Sequence, residues 1–577
     1  AHVIEGVYET GAQEHVYLET QGMVAWIDDD IVTITGSMQC PYYVAKAAER
    51  ALGLDHDHLR VIHAPTGGGF GGKEEFPSSL AIHTALLAMK SGKTVKMIYE
   101  RAEDMAATTK RHPSRIRHRT GVDEDGRLVA QDIEVVLDGG AYQTLSPVVL
   151  SRGIIHAAGP YACDNVRIVG KVILTNSVPY GAFRGFGAPQ SQFANERHMD
   201  VVARELGLDP VEFRRRNLLR DGDSTATGQV IDDGTDRVAV MDLALERADY
   251  AGRRAALCDF NATHPYLRRG LGMATFFHGA GFTGAGEVSL ASRVGVAGLP
   301  DGRVEVLSAS TEMGQGSQTV FTQIAAQRLG YPHADIVIAA PDTHRVPDSG
   351  PTVASRTSMV VGRILDDACA ALCELLGDPD LHGDALREAI IDWHRAHPGA
   401  ALSVEASYRP PQGVEWDEDN YRGAAYGAYA WATYLAEVEV DLRTYTARCT
   451  DFLAVQEVGH VLNETLARGQ IQGGVVQAIG WALLEECVLR EGAMVNNQLT
   501  NYIIPTSADV PPIDVVFLEN PYAEGALGAK GIGELPLDGP APALANAVAD
   551  ALGVDPRAIP LTPERLMQLV EGSATHA

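Results

Sequence analysis

The stretch Gly-Gly-Gly-Phe-Gly-Gly-Lys-Glu, residues 67–74, is the most unusual local sequence in this chain. Glycine lets a backbone approach a ligand closely and lets neighbouring N–H groups converge on oxygen atoms. The spacing fits neither the dinucleotide-binding fingerprint nor the phosphate-binding P-loop. On its own the run therefore predicts a plain turn more readily than a ligand site.

Strand and helix patterns alternate on both sides of this glycine run. Before it, the sequence predicts a strand at 31–35, a helix through 44–52 and a strand at 59–62. After it come a predicted helix at 80–89 and a strand at 95–99. The second half of the chain repeats the mixture, so the predicted fold class is α+β, with mixed α and β domains.

The length of 577 residues indicates more than one domain. Single hydrophobic cores stop growing at roughly 250–300 residues. The polar, turn-rich segment DGDSTATGQVIDDGTD, residues 221–236, is the best candidate for a boundary. The sequence therefore predicts a first domain over 1–235 and a second over 236–577.

Composition excludes several classes of protein. A net charge of −28 argues against a polyanion as partner, because nucleic-acid binding needs a basic surface. No apolar run approaches the roughly 20 residues of a membrane span. Seven cysteines occur without any C-x-x-C pair, which favours free thiols in a reducing, cytoplasmic compartment and provides no iron–sulfur or zinc site in this chain.

Four further segments share the small, glycine-rich character of the first. They are GAFRGFGAPQ at 181–190, TEMGQGSQT at 311–319, ARGQIQGG at 467–474 and GAKGIGELPL at 528–537. Two of them lead into predicted helices, whose N-termini attract phosphate. In the last segment Glu534 stands between glycines and Leu-Pro-Leu. Taken alone, it is either an ordinary exposed glutamate or a base whose pKa is raised by burial.

In this order and spacing, the five segments resemble the molybdenum-binding subunit of the xanthine dehydrogenase and aldehyde oxidase family. The resemblance runs from about residue 10 to the C-terminus. It implies two elongated domains with a molybdopterin cofactor buried at their interface, in the plain or the cytosine dinucleotide form. The pterin dithiolene alone holds the molybdenum in that family, so no protein ligand to the metal is expected. The family's subunit also has a further domain before the position of Ala1.

The resemblance assigns roles to residues of this chain. Glu534 matches the catalytic base. The residues expected at the cofactor are Gln39, Phe70, Gly71, Arg184, Gln315, Gly316, Ser355 and Gln470. The substrate residues expected by the same comparison are Glu74, Arg152, Phe186, Phe282 and Ala354.

The expected substrate residues resemble the set found in the purine-oxidising members. A carboxyl group and a guanidinium on opposite sides of a heterocycle can bind its edges, and two phenylalanines can stack on its faces. The alternative for Glu74 and Arg152 is an internal ion pair. The expected activity is therefore water-derived hydroxylation of xanthine, hypoxanthine or a related N-heteroaromatic, with oxidation of aldehydes or other heteroaromatics as the alternative.

The resemblance also implies partners. Electrons would leave through 2Fe–2S clusters and FAD on separate subunits, in a hetero-oligomer such as a dimer of heterotrimers. A catalytically silent cofactor-binding subunit is the remaining alternative, and Glu534 argues against it because a carrier needs no base.

Overall fold

A computed structural model describes residues 2–574 as a mixed α and β structure, which confirms the predicted fold class. The strands in chain order are β1 His2–Thr10, β2 Gly22–Asp28, β3 Ile31–Gly36, β4 Leu59–His63, β5 Val95–Ile98, β6 Ser114–Val122, β7 Leu128–Gly140, β8 Val166–Leu174, β9 Leu267–Ala280, β10 Arg293–Gly298, β11 Val304–Leu307, β12 Ile336–Ile338, β13 Leu402–Ser407, β14 Trp416–Asp417, β15 Arg422–Gly423, β16 Ala428–Asp441, β17 Thr446–Glu457, β18 Leu489–Arg490, β19 Ala493–Met494, β20 Ile513–Leu518 and β21 Ala558–Ile559.

The helices alternate with these strands along the chain. They are α1 Pro41–Leu52, α2 Pro77–Ser91, α3 Arg101–Ala107, α4 Ser146–His156, α5 Ala188–Glu205, α6 Pro210–Asn217, α7 Arg237–Arg247, α8 Tyr250–Thr263, α9 Gly286–Leu290, α10 Ser317–Leu329, α11 Gly362–Leu375, α12 Gly383–Ala396, α13 Glu464–Leu483, α14 Pro540–Leu552 and α15 Pro563–Ala574. Within residues 2–574, none of these helices combines the length and apolar content that crossing a bilayer requires.

Four sheets of four or five strands organise the molecule. Their strand orders are β4-β3-β2-β5, β21-β1-β6-β7-β8, β12-β11-β10-β13 and β20-β17-β16-β9. The first contains the predicted strand–helix–strand unit around the glycine run. The second joins the two ends of the described chain, because β21 pairs in parallel with β1.

Local chemistry explains where the early helices begin and end. Proline stands at the start of α1, α2 and α6, where its missing N–H costs nothing. Both α1 and α2 end at a glycine in the left-handed region, Gly53 and Gly92. Asp209 caps the N-terminus of α6, since its side chain accepts a hydrogen bond from the Val211 N–H at 2.8 Å.

The largest core lies between β16, β9 and α14. Gly270 and Gly272 on β9 let α14 lie directly on the strand, since a Cβ atom on Gly272 would fall 2.2 Å from the Ala543 carbonyl oxygen. This close approach fixes the position of the segment just before α14, which carries Glu534. Residues 221–236 form turns between α6 and α7, and the division of the chain into domains at 235/236 stays a prediction.

Candidate active site

The five glycine-rich segments meet around one cavity of about 430 Å³. Each of them contributes lining residues, and the turn at 352–355 completes the wall. The lining residues that the sequence predicted are Gln39, Phe70, Gly71, Glu74, Arg184, Phe186, Gln315, Ala354, Ser355, Gln470 and Glu534. Segments separated by hundreds of residues in the sequence thus form a single site.

Backbone-to-backbone contact joins the first two segments. Phe70 has φ +55° and Gly71 has φ +104°, a region that favours glycine. A Cβ atom on Gly71 would lie 2.8 Å from the backbone carbon and oxygen of Ala182. The Arg184 N–H donates to the Phe70 carbonyl at 2.9 Å. The glycines of this run therefore serve close packing of two cavity walls.

Gln39 and Gln315 stabilise the walls through their side-chain amides. The Gln39 Oε1 atom accepts from the Gly71 N–H at 2.9 Å, and its Nε2 donates to the Thr352 carbonyl at 3.1 Å. Gln315 bonds within its own loop, accepting from Met313 N and donating to the Thr311 carbonyl, both at 2.8 Å. Gly316 lies behind this loop and does not line the cavity; a Cβ atom there would meet Leu466 at 2.6 Å.

Arg184 connects three segments with its guanidinium group. It donates to the Gly533 carbonyl at 2.5 Å and to the Gln470 carbonyl at 2.9 Å. Burial lowers the pKa of Arg184 to about 10, which leaves it cationic at neutral pH. The cation stabilises the cavity wall and contributes positive potential close to Glu534.

The Glu534 carboxylate lies in the wall, 8% exposed, with several donors around it. Its Oε2 accepts from Arg152 Nη1 at 3.1 Å and from the Ser355 hydroxyl at 3.0 Å. Its Oε1 accepts only a long 3.3 Å hydrogen bond, from the Gly185 N–H. Oε1 is therefore the less engaged oxygen.

The protonation state of Glu534 differs from the sequence-based expectation. Burial raises its pKa, but the Arg152 guanidinium foremost, with the Ser355 hydroxyl, outweighs burial and brings the pKa down to about 2. Neither alternative that the sequence left open, an ordinary exposed glutamate or a base with a raised pKa, describes this side chain. The reason is the buried cation beside it, which favours the charged form of a carboxyl group. Glu534 is ionised at neutral pH.

Glu74 and Arg152 lie in different surroundings and do not pair with each other. Glu74 lines the cavity and, within residues 2–574, its side chain has neither a hydrogen bond nor an ion pair. Burial, with Glu75 and Glu534 nearby, raises its pKa well above the ordinary value. Arg152 lies behind the wall, where it pairs with Glu534 and donates to the Gly281 carbonyl at 2.7 Å.

The two phenylalanines expected to enclose a flat ligand lie at separate cavities. Phe186, at φ +51°, lines the main cavity together with Ala354. Phe282 lines a second, smaller cavity of about 150 Å³ with Gly281 and Met359. The Gly281 N–H donates to the Ala354 carbonyl at 2.9 Å and so links the linings of the two cavities, but Phe186 and Phe282 do not line the same one.

Comparison with known proteins adds to this geometry. Two family models described as "Molybdopterin cofactor-binding domain" match residues 1–218 and 243–511. The chain is 32% identical to "Xanthine dehydrogenase molybdenum-binding subunit" of Escherichia coli O157:H7, over 98% of this chain and 76% of that protein. The chain belongs to the xanthine dehydrogenase family. This is a family of molybdenum-dependent oxidoreductases.

Two solved structures of the same fold are similar over almost the whole chain. Aldehyde oxidoreductase of Desulfovibrio gigas superposes with a TM-score of 0.90 at 28% identity, covering 99% of this chain. This chain spans 61% of that enzyme's length. Quinoline 2-oxidoreductase of Pseudomonas putida 86 superposes at 0.89 with 29% identity, covering 99% of this chain and 76% of that one.

The cavity of this xanthine dehydrogenase family member fits the molybdopterin group. Gly314, Gly469 and Gly473 all line it, and a Cβ atom on any of them would meet nothing within 4 Å. These glycines keep space open where a flat group can lie against backbone. No cluster of three or more His, Cys, Asp or Glu side chains with metal-binding geometry occurs within residues 2–574. Gln470 and Ser355 face the same space as the three glycines.

Sequence reasoning missed two residues beside Glu534, namely His278 and Asp538. His278 Nε2 lies 3.4 Å from Glu534 Oε2, and its Nδ1 lies 2.6 Å from Asp538 Oδ2. One signal was available, since Asp538 follows Glu534 by four residues, across a single turn. His278 is far away in the sequence and carried no signal.

Proposed function

We propose that this chain is the catalytic subunit of a molybdenum hydroxylase that oxidises xanthine, hypoxanthine or a related N-heteroaromatic. The observation that carries the proposal is Glu534. It is a buried, ionised carboxylate in the wall of a cavity formed by all five glycine-rich segments. A base must begin the reaction without a proton, and its cationic and hydroxyl partners keep Glu534 in that state.

The residues of this chain divide the work of the site between them. Bound molybdopterin supplies the redox chemistry, with water as the source of oxygen. Glu534 accepts a proton at Oε1, while Arg152 and Ser355 hold Oε2 in place. Gln39 and Arg184 fix the walls that receive the pterin. Glu74, whose raised pKa favours the protonated form, donates a hydrogen bond to a carbonyl or ring nitrogen of the substrate.

Partner subunits complete the enzyme in this proposal. Electrons pass to 2Fe–2S clusters and FAD on other chains, in a cytoplasmic hetero-oligomer such as a dimer of heterotrimers. Two findings support it: the Escherichia coli relative is itself named as one subunit, and the seven cysteines of this chain are free thiols. Acid treatment of the purified enzyme releases any nucleotide bound to the pterin, and identifying that nucleotide tests for the cytosine dinucleotide form.

A second candidate is an aldehyde or other heteroaromatic hydroxylase. It is favoured by the placement of Arg152 behind the wall and of Phe282 at another cavity, since both were expected to hold a purine. The similar solved structures act, by their names, on aldehydes and on quinoline. The purine assignment keeps its support from Glu74, whose unpaired carboxyl group faces the cavity.

Glu534→Gln tests the base. The amide keeps the size of the side chain but cannot take the proton, so turnover should fall by about two to four orders of magnitude while molybdenum content stays the same. Steady-state rates with a dye as electron acceptor, and elemental analysis, measure the two quantities. Glu485→Gln is the matched control, because Glu485 is equally buried but lies outside the cavity. Wild-type-like rates in Glu534→Gln would reject the assignment.

A further inference from the structure

A buried group of polar side chains lies behind Glu534, outside the lining of the cavity. Glu534 and Asp538 flank the short turn at 535–537, so both carboxylates face the end of β9. His278 on β9 and Arg152 on α4 occupy the space between them. The four side chains are almost completely buried, with Asp538 at 0% and His278 at 1% exposure. None of Arg152, His278 and Asp538 lines the cavity.

Distances define a single chain of hydrogen bonds. Asp538 Oδ2 lies 2.6 Å from His278 Nδ1, and His278 Nε2 lies 2.8 Å from Arg152 Nη1. The same Nη1 atom lies 3.1 Å from Glu534 Oε2. A guanidinium group only donates hydrogen bonds. His278 Nε2 must therefore accept, which places the imidazole proton on Nδ1, where it is donated to Asp538.

The remaining contacts of Asp538 and of the neighbouring His156 show which groups belong to this chain of hydrogen bonds. Among the described residues, Asp538 Oδ1 is buried without a hydrogen-bond partner, so the carboxylate serves His278 alone. His156 Nε2 accepts from the Gly279 N–H at 3.1 Å, and its Nδ1 donates to the Arg152 carbonyl at 2.8 Å. His156 is thus a neutral support for the backbone of Arg152. Burial lowers the pKa of His278, and the two carboxylates outweigh burial and raise it; the contact with Arg152 still requires an unprotonated Nε2.

We infer that His278 and Asp538 are a positioning pair: Asp538 fixes the proton on Nδ1 of His278, so that Nε2 accepts from Arg152 and holds its guanidinium against Glu534. The inference rests on the proposed role of Glu534 as the base. If the proton moved to Nε2, two N–H groups would face each other at 2.8 Å. Arg152 would then be displaced, and Glu534 would lose the cation that keeps it ionised and aimed.

Asp538→Asn tests the pair with almost no change in volume. The side-chain amide introduced by this substitution donates to Nδ1 and forces the imidazole proton onto Nε2, an effect that costs about 10⁴-fold in kcat for a serine protease with the equivalent change. In the assembled, molybdenum-loaded enzyme we expect kcat to fall at least about 100-fold, with KM and molybdenum content near wild type. Xanthine is the substrate, or benzaldehyde if xanthine is not turned over.

A direct readout of the proton position does not depend on turnover. ¹⁵N-histidine labelling with solid-state NMR, with the His278 signal assigned by its absence in His278→Gln, should show Nδ1 protonated in the wild type and Nε2 protonated in Asp538→Asn. A wild-type His278 protonated on Nε2 or on both nitrogens would overturn the inference.

Variants at His278 separate positioning from simple packing. His278→Gln keeps an acceptor for Arg152, whereas His278→Asn keeps a donor for Asp538 but cannot reach Arg152. We expect His278→Gln to retain at least tenfold more activity than His278→Asn. Asp538→Asn should cost less than threefold further in the His278→Gln background, because no imidazole remains to change its tautomer. Equal losses of activity in the two His278 variants, or additive losses in the double variant, would overturn the inference. If Asp538→Asn does not fold, the comparison of the two His278 variants is the test.

The inference and the proposed function fail in different ways. If Glu534→Gln is active, the assignment of Glu534 as the base is rejected. If Glu534→Gln is inactive and Asp538→Asn is fully active, the base assignment stands and the role of His278 and Asp538 as a positioning pair is rejected. His198→Gln is the matched control, because His198 is a buried histidine with two hydrogen bonds, to Tyr8 and Thr120, and it does not line the cavity. It should keep wild-type rates.

Discussion

Two carboxyl groups in the wall of the cavity have pKa values that are shifted in opposite directions. Glu534 has a pKa of about 2 because its cationic and hydroxyl partners outweigh burial, whereas burial and like charge raise the pKa of Glu74 well above the ordinary value. At neutral pH the first is therefore ionised, whereas the environment of the second favours its protonated form. Environments that push the pKa values of two carboxyl groups apart are the usual way an active site assigns such roles.

At the scale of one residue, Glu74→Leu tests the substrate. This variant no longer donates a hydrogen bond to the purine, so it binds the transition state more weakly, by about 1–3 kcal/mol. We expect kcat/KM for xanthine to fall about tenfold to a hundredfold, with the value for benzaldehyde within threefold of wild type. Glu74→Gln is the control, since its neutral amide can still donate, and it should lose less on xanthine. Equal losses of kcat/KM on both substrates would favour the alternative function.

Individual elements show what the sequence could and could not predict. The strand–helix–strand unit over 31–98 followed from the periodicity of its apolar residues. The π-helical turn at Thr357–Val361, with positive φ at Ala354 and Ser355 just before it, had no sequence signal. Tertiary contacts determine those conformations. The cavity residues were found because glycine-rich segments are local features, whereas the contact between Arg152 and Glu534 depends on how distant elements pack.

Helix α13 uses glycine for two different purposes. Gly469 and Gly473 lie one turn apart on the face that lines the cavity, where a Cβ atom would meet nothing within 4 Å. Gly474 packs against the turn after Glu534, and a Cβ atom there would lie 2.6 Å from Pro536 Cγ. The first two therefore keep space open for a ligand, while the third allows close packing.

Substitutions on α13 should separate these two purposes. Gly473→Leu removes a helix-weakening glycine, so the Tm should stay at or slightly above the wild-type value. Its side chain projects into the cavity, so the ratio of molybdenum to protein should fall severalfold. Gly474→Ala should instead lower the Tm, because overpacking costs typically about 1–3 kcal/mol. Differential scanning calorimetry and elemental analysis measure both quantities. Full molybdenum content in Gly473→Leu would show that this face does not contact the cofactor.

Across the whole molecule, the two halves of the chain hold each other through buried polar contacts as well as through the core. Arg197 on α5 is 1% exposed. It donates to the Pro556 carbonyl at 3.1 Å and pairs with Asp555 at 2.8 Å, and it also bonds the Asn546 side chain. One side chain thus connects α5 to α14 and to the loop that follows it.

Arg197→Met should reduce stability strongly. The substitution leaves the Pro556 carbonyl and the Asn546 side-chain oxygen without their buried donor, at a cost of about 1–3 kcal/mol each, while Asp555 keeps its ion pair with Arg557 at 2.6 Å. The Tm should therefore fall by several degrees. Arg204→Met is the matched control. Its side chain is 46% exposed and lies 3.7 Å from the same Asp555, so a loss of about 0–1 kcal/mol is expected. Thermal scans measure the Tm of both variants. Equal decreases in Tm would contradict the larger contribution to stability that is assigned to Arg197.

The wall of the cavity sets an order of events during synthesis. Its first residue is Gln39 and its last is Glu534, so the other wall residues have left the ribosome before Glu534 emerges. A nascent chain cannot enclose a ligand before that point. The cavity can therefore close around a ligand only after residue 534 has emerged, and Glu534 is the last of the wall residues to leave the ribosome.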